Sequence, residues 1–271
     1  AAIATSWILS NNMERYLTVD GHQVYSYEWD NNGEAVVLLH GGLSQTSHWD
    51  SYILPAVEDD FHVYAYDRTG HGFTGDRTES FHYAFQTKEA IAYLDEIVKE
   101  PAHLIGYSDG GIVALMVAMQ RPELVRSIIT LGANFQPDGV VHIDDFDGVV
   151  SFENQEEYNR TSPDAPETLA KKIQKMIDIQ RTEPDLTPQD LAKIQCPVLV
   201  MAGDDDVIKH NHTAELYESI PLGQLAIVPA TSHKFIKERP ALAQLLMREF
   251  LEDLSYPVTR MPMRRTNPRT E

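Results

Sequence analysis

Short hydrophobic runs recur along the chain and alternate with stretches of helical spacing. Runs rich in β-branched and aromatic residues predict eight strands, at residues 16–19, 23–29, 35–39, 61–66, 102–106, 127–131, 198–202 and 224–228. Asp20-Gly21 lies between the first two runs and predicts a β-hairpin. The last six runs are almost entirely apolar, which is typical of strands that are buried on both faces of a parallel sheet.

Helical patterns occupy most of the gaps between these runs. They predict helices at residues 79–100, 109–120, 212–220 and 240–254. A regular alternation of strands and helices favours a parallel sheet with right-handed crossover connections. We therefore expect an α/β fold, with an eight-stranded, mostly parallel sheet and helices on both of its faces.

One long interval, residues 135–195, interrupts the alternation. It has no strong strand pattern, but residues 166–181 have helical spacing, and Thr187-Pro188 predicts an N-cap followed by proline in the first turn. We expect a helical insertion over the edge of the sheet. The whole chain, 1–271, is then predicted to be one domain. Its core is expected to comprise residues 16–134 and 196–254, and its ends, 1–12 and 256–271, are expected to be flexible.

The composition narrows the class of protein. Hydrophobic residues make up 42% of the chain and charged residues 23%, as in ordinary globular proteins. Twenty-two basic side chains against 41 acidic ones give a net charge of −19, and without a Lys/Arg stripe this argues against a nucleic-acid partner. The single cysteine excludes a disulfide framework. Because we find neither a transmembrane run nor a signal peptide, we expect a soluble, cytoplasmic protein.

The motif Gly106-Tyr107-Ser108-Asp109-Gly110 lies between a predicted strand and a predicted helix. A sharp strand-to-helix turn needs small residues on both sides of the serine, so that its hydroxyl projects at the top of the sheet. A glycine-rich turn with an ordinary serine is the alternative. The position of the motif favours a nucleophilic role for Ser108.

A serine is a poor nucleophile near neutral pH unless a base is oriented towards it. His233 lies on the loop after the last predicted strand and before the C-terminal helix, which is where the base of such a site is expected. The nearest alternatives are His210 and His212, which begin a helix and which we interpret as solvated or capping residues. The sequence therefore predicts His233 as the general base.

The acid that orients the base is expected between the serine and the histidine, directly after a strand. Gly203-Asp204-Asp205-Asp206 follows the predicted strand 198–202 and contains three carboxylates. We choose Asp206, three residues past the glycine, where the loop can turn back towards the histidine. Asp204 and Asp205 are then expected to build the turn or cap the next segment.

An acyl-transfer site also needs two backbone N–H groups that bind the developing oxyanion. The N–H of Asp109, the first residue of the helix after Ser108, is one candidate, since it lies at the positive end of the helix. The second is expected in His40-Gly41-Gly42, after the strand 35–39. We predict Gly42, with Leu43 as the alternative.

Taken together, these motifs resemble those of the α/β-hydrolase-fold serine hydrolases. The likeness extends over residues 16–254 and includes, besides the segments above, a stretch that follows the fourth strand, Asp67-Arg68-Thr69-Gly70-His71-Gly72. Thr69 stands where the family commonly has glycine, a departure at a scaffold turn. The Ser108-Asp109-Gly110-Gly111 elbow and the chain length are also similar to the valacyclovirase-like amino-acid ester hydrolases.

The resemblance implies a Ser-His-Asp triad, a cap domain after the sixth strand, no cofactor and no metal. The expected function is hydrolysis of a carboxylic ester, or a related acyl bond, of a small molecule. C–C bond hydrolysis, acyl transfer and perhydrolysis use the same triad and stay open, as does a ligand-binding or signalling protein without turnover. The Asp109 carboxylate is either a favourable acidic group in the first helical turn or a partner for a substrate ammonium.

Overall fold

A computed structural model describes residues 12–255 of the chain. Its strands form one sheet in the order β1-β2-β4-β3-β5-β6-β7-β8. The strands β1 and β2 pair antiparallel, β2 is antiparallel to β4, and all later pairings are parallel. Their bounds are, for β1 to β8 in turn, Asn12–Val19, His22–Trp29, Ala35–Leu39, His62–Tyr66, Ala102–Tyr107, Val125–Leu131, Val198–Gly203 and Gly223–Val228.

Nine α-helices connect and cover the strands in the described part of the chain. Helices α1, α8 and α9 pack on one face of the sheet, and α2, α3 and α7 pack on the other. Alternate residues of β3 show the two layers, since Val36 and Leu38 face the first group and Val37 faces the second. The helices α1 to α9 span, in turn, Asp50–Val57, Tyr83–Tyr93, Asp109–Gln120, Phe152–Thr161, Leu169–Gln180, Pro188–Leu191, His210–Ser219, Phe235–Glu238 and Pro240–Glu252.

The predicted α/β architecture is confirmed, with all eight strands and both helical layers present. The expectation of burial on both faces is wrong for β8, where Leu225 and Ile227 are 39% and 40% exposed, because β8 is an edge strand that is covered on one face only. The helix predicted at 79–100 is shorter in the structure: α2 begins at Tyr83, and a π-helical turn continues it to Val98. Helices α1, α4 and α8 were not predicted.

The segment between β6 and β7, which we call the insertion, carries α4, α5 and α6. The helical spacing predicted at 166–181 is confirmed by α5. The N-cap is also confirmed, because the Thr187 side chain accepts a hydrogen bond from the Asp190 N–H and Asp190 bonds back to Thr187. An isolated bridge between Val140 and Ile208 joins the start of the insertion to the loop after β7.

The two predicted flexible ends lie almost entirely outside the described residues. Asn12 is the exception, because it is the first residue of β1, which begins four residues before the predicted strand. Between residues 12 and 255, no helix combines the length and hydrophobicity that a bilayer-spanning helix requires.

Candidate active site

Ser108 lies at the sharp turn between β5 and α3. Its backbone has φ 50° and ψ −116°, a conformation that residues other than glycine rarely adopt. The glycines beside it are sterically required, because a Cβ on Gly106 would lie 2.3 Å from the backbone of Gly110, and one on Gly110 would lie 2.0 Å from the Leu39 carbonyl oxygen. The expected need for small residues at this turn is therefore confirmed.

His233 and Asp206 come together at the same end of the sheet. The Nδ1 of His233 lies 2.7 Å from Oδ1 of Asp206. Asp206 also accepts hydrogen bonds from the N–H groups of Gly203 and Ile208. Because a carboxylate accepts, Nδ1 of His233 is the donor, which leaves Nε2 as the unprotonated nitrogen of the neutral ring.

The environment of Asp206 keeps its carboxyl group ionised. Its side chain is fully buried, and burial raises the pKa of this carboxyl. The hydrogen bond and the electrostatic attraction of His233, together with the two backbone N–H groups, outweigh burial, so the pKa of this carboxyl lies below its ordinary value. A glycine makes room for the imidazole, since a Cβ on Gly132 would lie 2.8 Å from the His233 ring.

The neighbouring acids and histidines have other contacts. The Asp204 carboxylate accepts hydrogen bonds from the N–H groups of Ala230 and Thr231, so it ties the loop after β7 to the loop after β8. The interpretation of His212 as a solvated or capping residue is wrong. His212 is buried, stacks on the Phe135 ring and accepts the Phe135 N–H at its Nε2, because the insertion covers it.

The two residues predicted to donate to an oxyanion are neighbours in space. Gly42 packs against Asp109, and a Cβ on Gly42 would lie 2.1 Å from the Asp109 Oδ2. Asp109 is the first residue of α3. Leu43, the alternative, has φ 52° and a side chain that is 41% exposed. Tight packing at Gly42 explains why glycine is needed there.

A buried cation from the motif that follows β4 supports this loop, a role that the sequence did not predict. Arg68 is fully buried, and its guanidinium donates to the carbonyl oxygens of His40 and Gly41, the latter at 3.2 Å. The Gly41 oxygen also lies 2.7 Å from Nδ1 of His40. Since C=O and N–H of a trans peptide point in opposite directions, fixing the Gly41 oxygen fixes the direction of the Gly42 N–H.

The Asp109 side chain is buried and already engaged. It accepts a hydrogen bond from the Tyr83 hydroxyl at 2.9 Å and a long one from Gln180 Nε2 at 3.4 Å. Burial raises the pKa of this carboxyl, against the opposing influence of the Arg68 charge. No sequence motif indicated Tyr83 or Gln180, because their contact with Asp109 depends on how α2 and α5 pack.

A cavity of about 300 Å³ opens beside Ser108, and we call it the Ser108 cavity. Ser108, Asp109 and His233 line it, together with residues of the insertion such as Ile177 and Gln180. Its volume is at the small end of the range for small-molecule sites. In residues 12–255, no group of three or more His, Cys, Asp and Glu side chains is arranged to hold a metal ion.

Comparisons with known proteins agree with this architecture. The sequence profile of the alpha/beta hydrolase family matches residues 36–243. The uncharacterized hydrolase YugF of Bacillus subtilis is 25% identical over 272 aligned positions, which cover 88% of this chain and 97% of YugF. The human serine hydrolase BPHL is 24% identical over 233 positions, which cover 80% of this chain and 79% of BPHL.

A solved structure gives the same result for the fold. The serine hydrolase CarC, which is involved in carbazole degradation, is similar with a TM-score of 0.72 at 21% identity, and the match covers 89% of this chain and 99% of CarC. Likeness at this identity concerns the fold alone. Since the family profile spans most of the chain and the sheet has the corresponding topology, the protein belongs to the alpha/beta hydrolase family.

Proposed function

We propose that the protein is a serine hydrolase that cleaves a carboxylic ester, or a related acyl bond, of a small molecule. The observation that carries this proposal is that Ser108, Asp109 and His233 line one cavity, while Asp206 pairs with His233 and Gly42 packs against Asp109. A nucleophile, an oriented base and two oxyanion donors are the parts that acyl transfer requires. The insertion acts as a cap that shields the reaction from water.

In the proposed first step, the Ser108 hydroxyl oxygen attacks the carbonyl carbon of the ester, and Nε2 of His233 takes the hydroxyl proton. Asp206 holds the imidazole in the required tautomer through Nδ1 and stabilises its positive charge. When the tetrahedral intermediate collapses, the C–O bond to the alcohol breaks and His233 returns the proton to the leaving oxygen. An acyl group then remains on Ser108.

In the second step, water attacks the acyl carbon while His233 takes a proton from it, and the acid leaves Ser108. In both steps the N–H groups of Gly42 and Asp109 donate to the oxyanion. The buried Arg68 positions the first donor by holding the Gly41 oxygen, and its charge increases the polarity of that peptide. Donors that are fixed before the reaction stabilise the charge without having to reorganise.

A fluorophosphonate probe followed by intact-mass analysis tests the nucleophile. We expect a single adduct on the native protein and none on Ser108→Ala or on heat-denatured protein, because only the folded site activates this hydroxyl. The matched control is Ser219→Ala, which removes a half-buried hydroxyl on α7 that donates to the Glu215 carbonyl oxygen, and it is expected to keep the adduct. With a hydrolysed ester, Ser108→Ala is expected to lower kcat by about 10³-fold or more.

Two results would contradict the proposal. One is a folded protein that forms no adduct, and the other is an adduct that survives in Ser108→Ala. Return of an ester unchanged from a protein that binds it would favour the ligand-binding alternative instead.

A further inference from the structure

The side chain of Tyr107, the residue directly before Ser108, contacts the loop that carries the base. Its hydroxyl donates a hydrogen bond to the backbone carbonyl oxygen of His233 at 2.8 Å. The two rings also lie together, with 5.2 Å between their centroids and 36° between their planes. Burial and the nearby carboxylates of Asp206 and Glu238 raise the pKa of the Tyr107 hydroxyl above its ordinary value. The hydroxyl therefore stays protonated and remains a donor.

The same ring reaches the loop that carries the predicted oxyanion donor. A Cβ on Gly41 would lie 3.0 Å from Cδ1 of Tyr107, so the ring packs against the residue before Gly42. The ring also stacks on Trp49, which is buried in the cluster on the α1, α8 and α9 face, with 6.0 Å between the centroids. Tyr107 thus contacts the base loop and the oxyanion loop at once, and it is covalently joined to Ser108.

The base is held at two points. The hydrogen bond to Asp206 fixes the ring of His233 at Nδ1, whereas the bond from Tyr107 fixes the main chain from which the ring extends. The next backbone donor on this loop is engaged elsewhere, because the Phe235 N–H donates to the Ser232 carbonyl oxygen. Since one anchor lies on the ring and the other on the backbone, the two together determine where Nε2 lies.

The contacts of Tyr107 are with the protein and not with the space where a substrate binds. Among residues 12–255, the lining of the Ser108 cavity includes Ser108 and His233 but not Tyr107. Proton transfer requires heavy-atom distances of about 2.6–3.2 Å, and a displacement of about 1 Å can lower a rate by up to about 100-fold. Loss of the hydroxyl should therefore affect the proton transfers and leave substrate binding nearly unchanged.

We propose that Tyr107 is a positioning residue for the base: its hydroxyl holds the backbone of His233, its ring sets the spacing between the base loop and Gly41, and Nε2 is thereby placed for proton transfer. The inference rests on the proposed function for the two transfers, from the Ser108 hydroxyl and to the leaving oxygen. It assigns to Tyr107 no contact with the substrate.

The first test uses Tyr107→Phe, which removes the hydroxyl and keeps the ring, with phenyl butyrate and ethyl butyrate as substrates. Ethoxide must receive a proton from His233 as it leaves, whereas phenoxide can leave without one. A displaced base harms both transfers for the ethyl ester, so we expect kcat/KM to fall about tenfold for it and about threefold for the phenyl ester. The KM for the ethyl ester should change by less than about twofold. Losses of equal size for the two esters, or none, would overturn the inference, because fewer folded molecules lower both rates equally.

The matched control is Tyr16→Phe. The Tyr16 hydroxyl also donates to a backbone carbonyl oxygen, that of Phe73 at 2.7 Å, but Tyr16 lies on β1 and does not line the Ser108 cavity. We expect this variant to hydrolyse both esters at the wild-type rates. A ratio of ethyl to phenyl rates that falls equally in the Tyr16 and Tyr107 variants would overturn the inference, because the loss of any such hydroxyl would then suffice.

A second readout does not need turnover and separates this inference from the proposed function. The Nδ1 proton of His233, which is bonded to Asp206, is followed by ¹H NMR of ¹⁵N-histidine-labelled protein and assigned by its loss in His233→Gln. In Tyr107→Phe its exchange with water should rise about tenfold, because the released loop breaks the contact with Asp206 more often, whereas Tyr16→Phe should leave it unchanged. Faster exchange in Tyr107→Phe without hydrolysis by the wild type would support the positioning contact and contradict the hydrolase. Hydrolysis with unchanged exchange and an unchanged ratio of ethyl to phenyl rates would support the hydrolase and contradict the role of Tyr107.

Discussion

Helices α4 and α5 belong to the same insertion, but they are held in place by different interactions. On α5, the side chains of Met176 and Ile179 are buried in the large apolar cluster on one face of the sheet. On α4, all of whose residues the structure describes, no residue is buried. Its contacts are polar, chiefly the His48–Glu157 pair and a hydrogen bond between Tyr158 and Thr168 at 2.8 Å.

The difference shows which part of the insertion can open. Apolar burial contributes about 25 cal/mol per Å², whereas an exposed ion pair contributes about 0–1 kcal/mol. Helix α5, which lines the Ser108 cavity and a second cavity of about 420 Å³, is thus part of the folded core. We call the second one the α4 cavity, and we expect α4, which lines only this one of the two, to open at a small fraction of the global stability.

The largest expected difference between the helices is in stability. Met176→Ala leaves a cavity in the main cluster, because this side chain is fully buried, and should lower the free energy of unfolding by about 2–5 kcal/mol. The matched change on α4, Phe152→Ala, affects a residue that is 74% exposed and should change the free energy of unfolding by less than about 0.5 kcal/mol. Urea unfolding of both variants measures the contrast. Similar losses in the two variants would show that α4 is packed as firmly as α5.

A smaller effect is expected at the polar contact that anchors α5. The Lys172 side chain is 5% exposed and pairs with Oδ2 of Asp164, which also accepts a hydrogen bond from the Asp76 N–H at 2.9 Å. Lys172→Met leaves the partly buried carboxylate without its cation and should cost about 1–3 kcal/mol. The control is Lys193→Met, which breaks an exposed pair with Asp190 and should cost less than about 0.5 kcal/mol. A loss of equal size in both variants would place Lys172 among ordinary surface pairs.

The same contrast explains what could be predicted from the sequence. The apolar spacing of α5 and of the strands is a local pattern, and it predicted these elements to within a few residues. Helix α4 has few apolar residues and therefore gave no such pattern. The Ser108 turn was predictable because the clash that requires Gly106, with the backbone of Gly110, is local, although Gly110 is required by its contact with Leu39 on β3. The role of Arg68 was not predictable, since its burial and its partners depend on loops that meet only in the folded chain.

The smallest expected effect concerns the pair that ties α4 to the loop after β3. The side chains of His48 and Glu157 are 33% and 34% exposed, so Glu157→Gln should change the global free energy of unfolding by less than about 0.5 kcal/mol. For α4 itself, the His48–Glu157 contact is a large share of the interactions that hold the helix on the rest of the protein. Amide hydrogen exchange within α4 is therefore expected to rise about two- to fivefold, while exchange within α5 stays unchanged.

Glu153→Gln, an exposed position on the same helix, separates the pair from a general effect of removing a negative charge from α4. It should leave the exchange of α4 amides unchanged. If Glu157→Gln accelerated exchange in α4 and α5 together, the two helices would open as one unit, and access to the α4 cavity would require displacing the helix that also lines the Ser108 cavity.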